Sequence, residues 1–325
     1  MKTNHISHRL SVSPLATSHW PLATVLAVAA CFLAFLTPAR AAQEECFAAA
    51  DDAVKAFTAA AASKDTHALE AIFGPGMREL VSPDPVQASN GLVHFSRCVS
   101  EKVALLHKSD SNIVLEIGLD NWPFPIPLVR QDGQWRFDTA AGKEEILNRR
   151  IGRNELDTIR VCQACAEAQR EYASEDHTGS GVLEYAQHLR SSPGCHDGLY
   201  WHCEPGEPAS PLGPLIAQAR GEGYTHDSKI MAGQQAPYHG YHFKILTRQG
   251  RHAPGGKYDY IINGHMVAGF ALAAWPAQWG NSGVMPFIMN QEGVVYEKNL
   301  GPKTSALAAK MTAYDPGPGW KPALK

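Results

Sequence analysis

The stretch YDYIINGHMVAGFALAAWPAQWGNSGVMPFIMNQEGVVYEKNLG, residues 258–301, decides how the chain is read. Apolar runs at 258–262, 267–275, 284–289 and 294–296 are separated by Asn263-Gly264, Asn281-Ser282-Gly283 and Glu292-Gly293, residue types that tolerate positive φ. Runs of this length between turn signals describe a small antiparallel sheet. No nucleophile, acid pair or metal cage stands out in it, so the stretch speaks to architecture and not to a reaction.

Working outward, residues 238–246 add a further strand, residues 215–221 a short helix, and the Pro- and Gly-rich residues 191–214 an irregular connection. Upstream, Asn154 is placed to cap a helix running to about residue 173, with Leu156, Ile159, Cys162, Cys165 and Tyr172 on one stripe. Before it, Thr139 caps a helix over 143–151 that Gly152 ends. Residues 44–80 read as two helices, Phe47, Ala50, Val54, Phe57 and Ala61 on the first, Leu69, Ile72 and Phe73 on the second, with Asp65 as N-cap between them. From 81 to 137 the pattern changes to strands: 113–117 alternates, 122–129 (WPFPIPLV) is too Pro-rich for a central strand, and 134–137 (QWRF) follows Asp132-Gly133. The expectation is an α+β fold in two domains, residues 42–152 and 153–325, the first with helices over a curved sheet and the second with a helix packed on an antiparallel sheet.

Residues 1–41 carry Lys2, Arg9 and Arg40 but no acid, and their apolar run 22–36 is shorter than the ~20 residues a spanning helix needs. Ala39-Arg40-Ala41 supplies a small-x-small cleavage pattern, so the chain reads as exported and cut after Ala41. Val28-Ala29-Ala30-Cys31 is the competing lipidation reading, although the apolar run continues past Cys31. Removal of three positive charges takes the formal net charge from −3 to −6. No Lys/Arg cluster remains to track a phosphate backbone, which argues against nucleic acid as partner.

Six cysteines remain: Cys46, Cys98, Cys162, Cys165, Cys195 and Cys203. In an oxidising compartment three disulfides are the default, in any of 15 connectivities that sequence does not choose among; Cys195 with Cys203 is the favoured bridge, and Cys46 with Cys98 and Cys162 with Cys165 is one way to complete the set. A zinc site and a redox pair are competing readings. Covalent haem is excluded because Ala166 stands where the attachment motif needs His. His196, His202, His226, His239 and His242 invite a metal reading, but a strand would put His239 and His242 on opposite faces. Asp176-x-Thr178-x-Ser180-Gly181 with Glu184 resembles a calcium loop lacking two carboxylates and reads better as a turn. Asp120 and Asp138, each near an aromatic, read as turn carboxylates in preference to pocket acids. Gly301-Pro302-Lys303-Thr304 is no phosphate loop, since Pro302 removes an amide the loop requires. Neither a Gly-x-Ser-x-Gly elbow nor a His-Glu-x-x-His pair occurs, and no cofactor is expected. Trp122, Phe124 and Trp135 are the candidate pocket residues of the first domain. Trp275 and Trp279, crowded with Tyr241, Tyr258, Tyr260 and Tyr296, form either a sheet core or an exposed contact patch.

Residues 122–156 (WPFPIPLVRQDGQWRFDTAAGKEEILNRRIGRNEL), 237–246 (PYHGYHFKIL) and 269–301 closely resemble a bacterial family catalogued as domain of unknown function 2950. The resemblance implies an exported envelope protein and names no activity. The first half, ending in Gly133-x-Trp135-x-Phe137, is similar to cone-shaped nuclear-transport-factor-2-like domains. The second, from AQREY (residues 168–172) through GYHFKIL to FIMNQEGVVY, is similar to type II pseudopilin and type IV pilin headgroups. It departs from pilins in carrying Arg149, Arg150, Arg153, Glu155 and Asp157 where they have a long apolar helix. Together these readings predict a non-catalytic binding or assembly factor acting on other envelope proteins or surface components. A ligand or enzymatic pocket in the first domain and a metal-binding role are the alternatives.

Overall fold

Asp65 caps its helix as expected, accepting from the Ala68 amide at 3.0 Å and separating α1 (Ala50–Ser63) from α2 (Thr66–Phe73). The computed structural model describes residues 44–204, 206–224 and 237–323; the expected leader, Cys31 and His226 lie outside them. Phe47 is not helical: it exchanges two 2.8 Å backbone hydrogen bonds with Trp135 and so covers a sheet edge. After the short α3 (Met77–Leu80) comes α4 (Pro85–Glu101), a helix that the sequence pattern did not mark. Asp84 caps it, accepting from the Val86 and Gln87 amides, and Pro85 opens it with a preset φ. Gly91, Asn90 and β-branched residues give it weak intrinsic propensity, so the cap was the only strong signal.

The strands β1 (Val103–Ser109), β2 (Asn112–Ile117), β4 (Leu128–Gln131) and β5 (Gln134–Phe137) pair antiparallel in that order, with the two-residue β3 (Trp122–Pro123) against β2. Alternation on β2 turns Ile113, Leu115 and Ile117 into a core with Phe57, Phe73, Phe124 and Phe137. Phe57 meets four other phenylalanine rings at 5.3–5.9 Å.

A single helix, α5 (Thr139–Tyr172), spans the next 34 residues, about 50 Å at ~1.5 Å per residue. This corrects the expected break at Gly152. A helix interior tolerates glycine at roughly 1 kcal/mol. Asn154, read as a cap, is 1% exposed and mid-helix; its amide donates to Ser282 O at 2.8 Å and accepts from Gln87 Nε2 at 2.9 Å. Near its start α5 crosses the β3–β4 connection so closely that a Cβ on Gly142 would sit 2.6 Å from Ile126. Ile146 on α5 packs on the first core, and Val161, Cys162, Cys165, Ala166, Ala168 and Tyr172 belong to the second.

The second core lies between α5, α6 (Gly213–Gly221) and a five-stranded sheet ordered β16-β15-β14-β13-β8. Its strands are β8 (Tyr241–Leu246), β13 (Ala271–Pro276), β14 (Phe287–Asn290), β15 (Tyr296–Glu297) and β16 (Lys321–Pro322), all antiparallel. Three two-stranded pieces flank it. They are the parallel pair β6 (His188–Arg190) and β7 (Gly198–Tyr200), the pair β9 (Arg248–Gln249) and β10 (Tyr258–Asp259), and the hairpin β11 (Ile261–Ile262) to β12 (His265–Met266). That hairpin turns on Asn263-Gly264, both at positive φ as their types suggested. The last helix is α7 (Thr304–Ala309). Residues 183–189, whose apolar spacing suggests an amphipathic turn, lead into β6 instead: Gln169 binds Ala186 at both its N–H and C=O, and Tyr185 N–H donates to Met266 O.

The two cores meet along a polar seam. The Asp84 side chain, 0% exposed, also accepts from Tyr224 Oη at 2.7 Å and the Gly240 amide at 3.2 Å. Asn90 donates to Glu222 O, and Arg150 donates to Leu80 O and Asn281 Oδ1. His239, expected in a strand, precedes β8 at φ 49 and bridges Asp157 (3.1 Å) and Glu222 (2.8 Å). Burial alone would lower its pKa, but the hydrogen bond to Asp157 and the charge of Glu222 outweigh it and raise the value. The His239 hydrogen bond is in turn the main reason Asp157 is held low.

Two outcomes follow from the seam. Asp84→Ala removes a cap and strands two buried donors, and is expected to lower unfolding free energy by about 3 kcal/mol in urea titrations, against about 1 for Tyr224→Phe. His239 contributes stability that is complete below the usual histidine value near 6.5 and is lost as pH rises through its elevated value. The urea midpoint of the wild type should therefore fall more between pH about 6 and 8 than that of His239→Gln.

Candidate functional site

Strand alternation places Tyr241 and Phe243 of β8 against the core, 0% and 2% exposed, and sends half-buried His242 and Lys244 to the opposite face. Register pairs His242 with Trp275 and Lys244 with Ala273 on β13. The His242 and Trp275 rings lie 5.8 Å apart. Trp275 is 5% exposed yet belongs to neither core; it forms part of the wall of an outer cleft.

Two elements flank this floor. α7 packs on β13, tied by Ser305 Oγ donating to Pro276 O; its last carbonyl, Ala309 O, and Met311 O just beyond its end accept from Lys244 Nζ at 3.1 and 2.9 Å. A lysine there suits the negative end of the helix dipole. On the other side, β7 approaches β6 so closely that a Cβ on Gly198 would sit 2.5 Å from Arg190 C and Ser191 N. That approach sets Arg190 opposite Tyr200, its guanidinium 5.8 Å from the ring centroid.

The cleft so enclosed has a volume of about 770 Å³, and His188, Arg190, His242, Lys244 and Trp275 line it. Among the described residues no aspartate or glutamate does. Arg190 Nη1 and His242 Nδ1 are buried in its walls without a hydrogen-bond partner. Burial lowers the His242 pKa, which keeps the imidazole neutral at pH 7. The three serines in the walls are engaged elsewhere: Ser191 with the Gly198 backbone, Ser192 with the Asp197 carboxylate, Ser305 with Pro276 O. None donates to a histidine, so no nucleophile is paired with a base.

The other expected site residues scatter. Trp122 is 39% exposed, with the Arg149 guanidinium 5.4 Å over its ring. Phe124 fills the first core against Phe57, Phe73 and Phe95, and Trp135 is buried on β5. These ring contacts put Phe124 in the packed core of the first domain, where the alternative reading set a pocket wall. Trp279 is half-buried beyond β13 and donates to Asn299 Oδ1. Asp138 caps α5, and Asp176 accepts from the Thr178, Ser180 and Gly181 amides in a turn. His196 stacks on Trp201 and His202 faces Glu204, well apart in role from His239 and His242.

The expected disulfides are not formed: all six cysteines are free thiols. Cys162 and Cys165 face the second core, and burial pushes the Cys165 thiol up to about 12 and Cys162 higher than usual as well, unfavourable for thiolate chemistry. Cys98 lies beside His94, Cys46 is exposed, and Cys203 donates to Pro208 O instead of facing Cys195. Among the described residues no three His, Cys, Asp or Glu side chains converge as metal ligands. No helix among them is long and apolar enough to cross a membrane.

Fold and site together define an α+β protein with a basic, aromatic-walled cleft on the outer face of an antiparallel sheet. A family model described as a protein of unknown function, DUF2950, matches residues 44–323, and the chain belongs to that family. No curated protein and no solved structure matches it.

Arg190 was not singled out in the sequence, and His242 only as a member of a metal cluster. A buried guanidinium nitrogen without an acceptor destabilises the folded chain. Arg190→Met is accordingly expected to leave thermal stability unchanged or raise it by about 1 kcal/mol, whereas an arginine with a structural role would lose stability.

Proposed function

We propose that this is an exported envelope protein that binds a ligand in the outer cleft and does not transform it. The observation that carries the reading is the pair of buried, unpartnered polar atoms, Arg190 Nη1 and His242 Nδ1, in one cleft whose serines are all engaged elsewhere. A volume of about 770 Å³ falls in the range of ~300–1,000 Å³ usual for small-molecule sites. The short apolar run at 22–36 and the Ala39-Arg40-Ala41 pattern support export, to the periplasm or outside the cell. Its partners are then envelope proteins or surface components. The likeness to pseudopilin headgroups is supported by a long helix packed on one face of an antiparallel sheet, and the likeness to nuclear-transport-factor-2-like cones by helices over the β1–β5 sheet.

Native mass spectrometry of the mature chain, equilibrated with the small-molecule fraction of an envelope extract, tests both parts. The expected result is an unlipidated chain beginning at Ala42 that carries an adduct, and loss of that adduct in Ala309→Trp, which fills the cleft from α7. An adduct equally abundant in the variant, or catalysed conversion of an extract component, would overturn the reading.

A further inference from the structure

We infer that the ligand of this cleft is an amphipathic oxyanion, a carboxylate or phosphate on an apolar body, with Arg190 and His242 holding the oxygens and Trp275 the body. The inference deepens the binding reading above and rests on it.

Three properties of the walls select that chemistry. The first is charge: Arg190 and Lys244 line the cleft and, among the described residues, no aspartate or glutamate does; the Asp197 carboxylate is engaged by Ser192 and attracts His188. By contrast Arg78 is paired with Glu70 and Arg160 with Asp157. A cation or metal would enter against this field, and an anion along it.

The second is unspent hydrogen bonding. The Arg190 guanidinium lies over Tyr200 and leaves Nη1 buried without an acceptor. Guanidinium is always charged and only donates, so nothing but an acceptor, best an ionised one, satisfies it. Lys244 spends two of its donors on Ala309 O and Met311 O, and an ammonium has three. His242, two residues before Lys244 on the same face, has a buried Nδ1 to offer.

The third is the apolar remainder. Trp275, Ala277, Ile245, Leu189 and Ala309 line the same volume. Inorganic phosphate would cover the polar atoms and leave this surface wet. An aromatic or aliphatic body against Trp275 removes it from water at roughly 25 cal/mol per Å².

The test titrates the mature chain with 3-phenylpropionate, phenyl phosphate, 3-phenylpropionamide and inorganic phosphate, following the indole N–H resonance of Trp275, assigned by its absence in Trp275→Phe. At least one aromatic acid is expected to bind about ten-fold or more tightly than the amide, and the tighter acid identifies the headgroup. In Arg190→Gln that ratio should collapse towards one, while Arg248→Gln, which alters an exposed arginine paired with Asp259, should preserve it. Acid and amide binding alike would overturn the oxyanion and leave the cleft a binding site. Inorganic phosphate binding as tightly as phenyl phosphate would overturn the apolar body. If no probe of either charge moves the Trp275 resonance, the binding reading falls together with this inference.

Discussion

The carboxylate of Asp84 is the constraint on which the arrangement of this molecule depends. One oxygen ends the chain's approach to α4 by accepting the first free amides of that helix; the other accepts a phenol and an amide from segments some 140 and 156 residues further on. A carboxylate with no exposure is tolerated only when its lone pairs are taken up, and here four donors do so. A local cap has thereby become a long-range clamp. Around it the side chains of Gln87, Asn154 and His239 extend the same logic, each meeting a partner from another element.

Beyond the seam each half is held in its own way. The first is an aromatic core, with Phe57 at the centre of a set of rings and the sheet edge at β5 closed by Phe47. The second is a sheet buried on one face by α5 and left on the other with α7 and the β6–β7 pair as partial cover. Partial cover is what produces the cleft. A larger helix over β13 would have sealed Trp275 and His242, and a smaller one would have exposed them.

Much of this was legible in the chain. The turn pairs in residues 258–301 marked real reversals, β2 and β5 showed their alternation, and Asp65 its cap. The failures have a common physical origin: local preference was read where tertiary contact decided. Gly152 and Asn154 look like punctuation, but Asn154 is spent on Gln87 and Ser282, so the helix runs on. Asp84-Pro85 did announce α4, and its weak apolar stripe concealed it. For the site, Trp275 was found because an aromatic in a strand is conspicuous. Arg190 could not be, since nothing local distinguishes a guanidinium whose acceptor is missing from one that is solvated; only the fold, by laying β7 against β6, buries it. Cysteine pairing failed for a related reason, since compartment and spacing say nothing about which way a thiol faces.

The uninterrupted course of α5 has a consequence for how the molecule comes apart. Its early turns lie against one core and its later turns against the other, so neither half owns it. A boundary drawn between residues 152 and 153 cuts this shared rod at mid-span. Each fragment would keep a stump whose greasy stripe had lost its continuation, and the amide of Asn154 would be parted from Gln87. Whatever the evolutionary history of the two halves, they now share one spine.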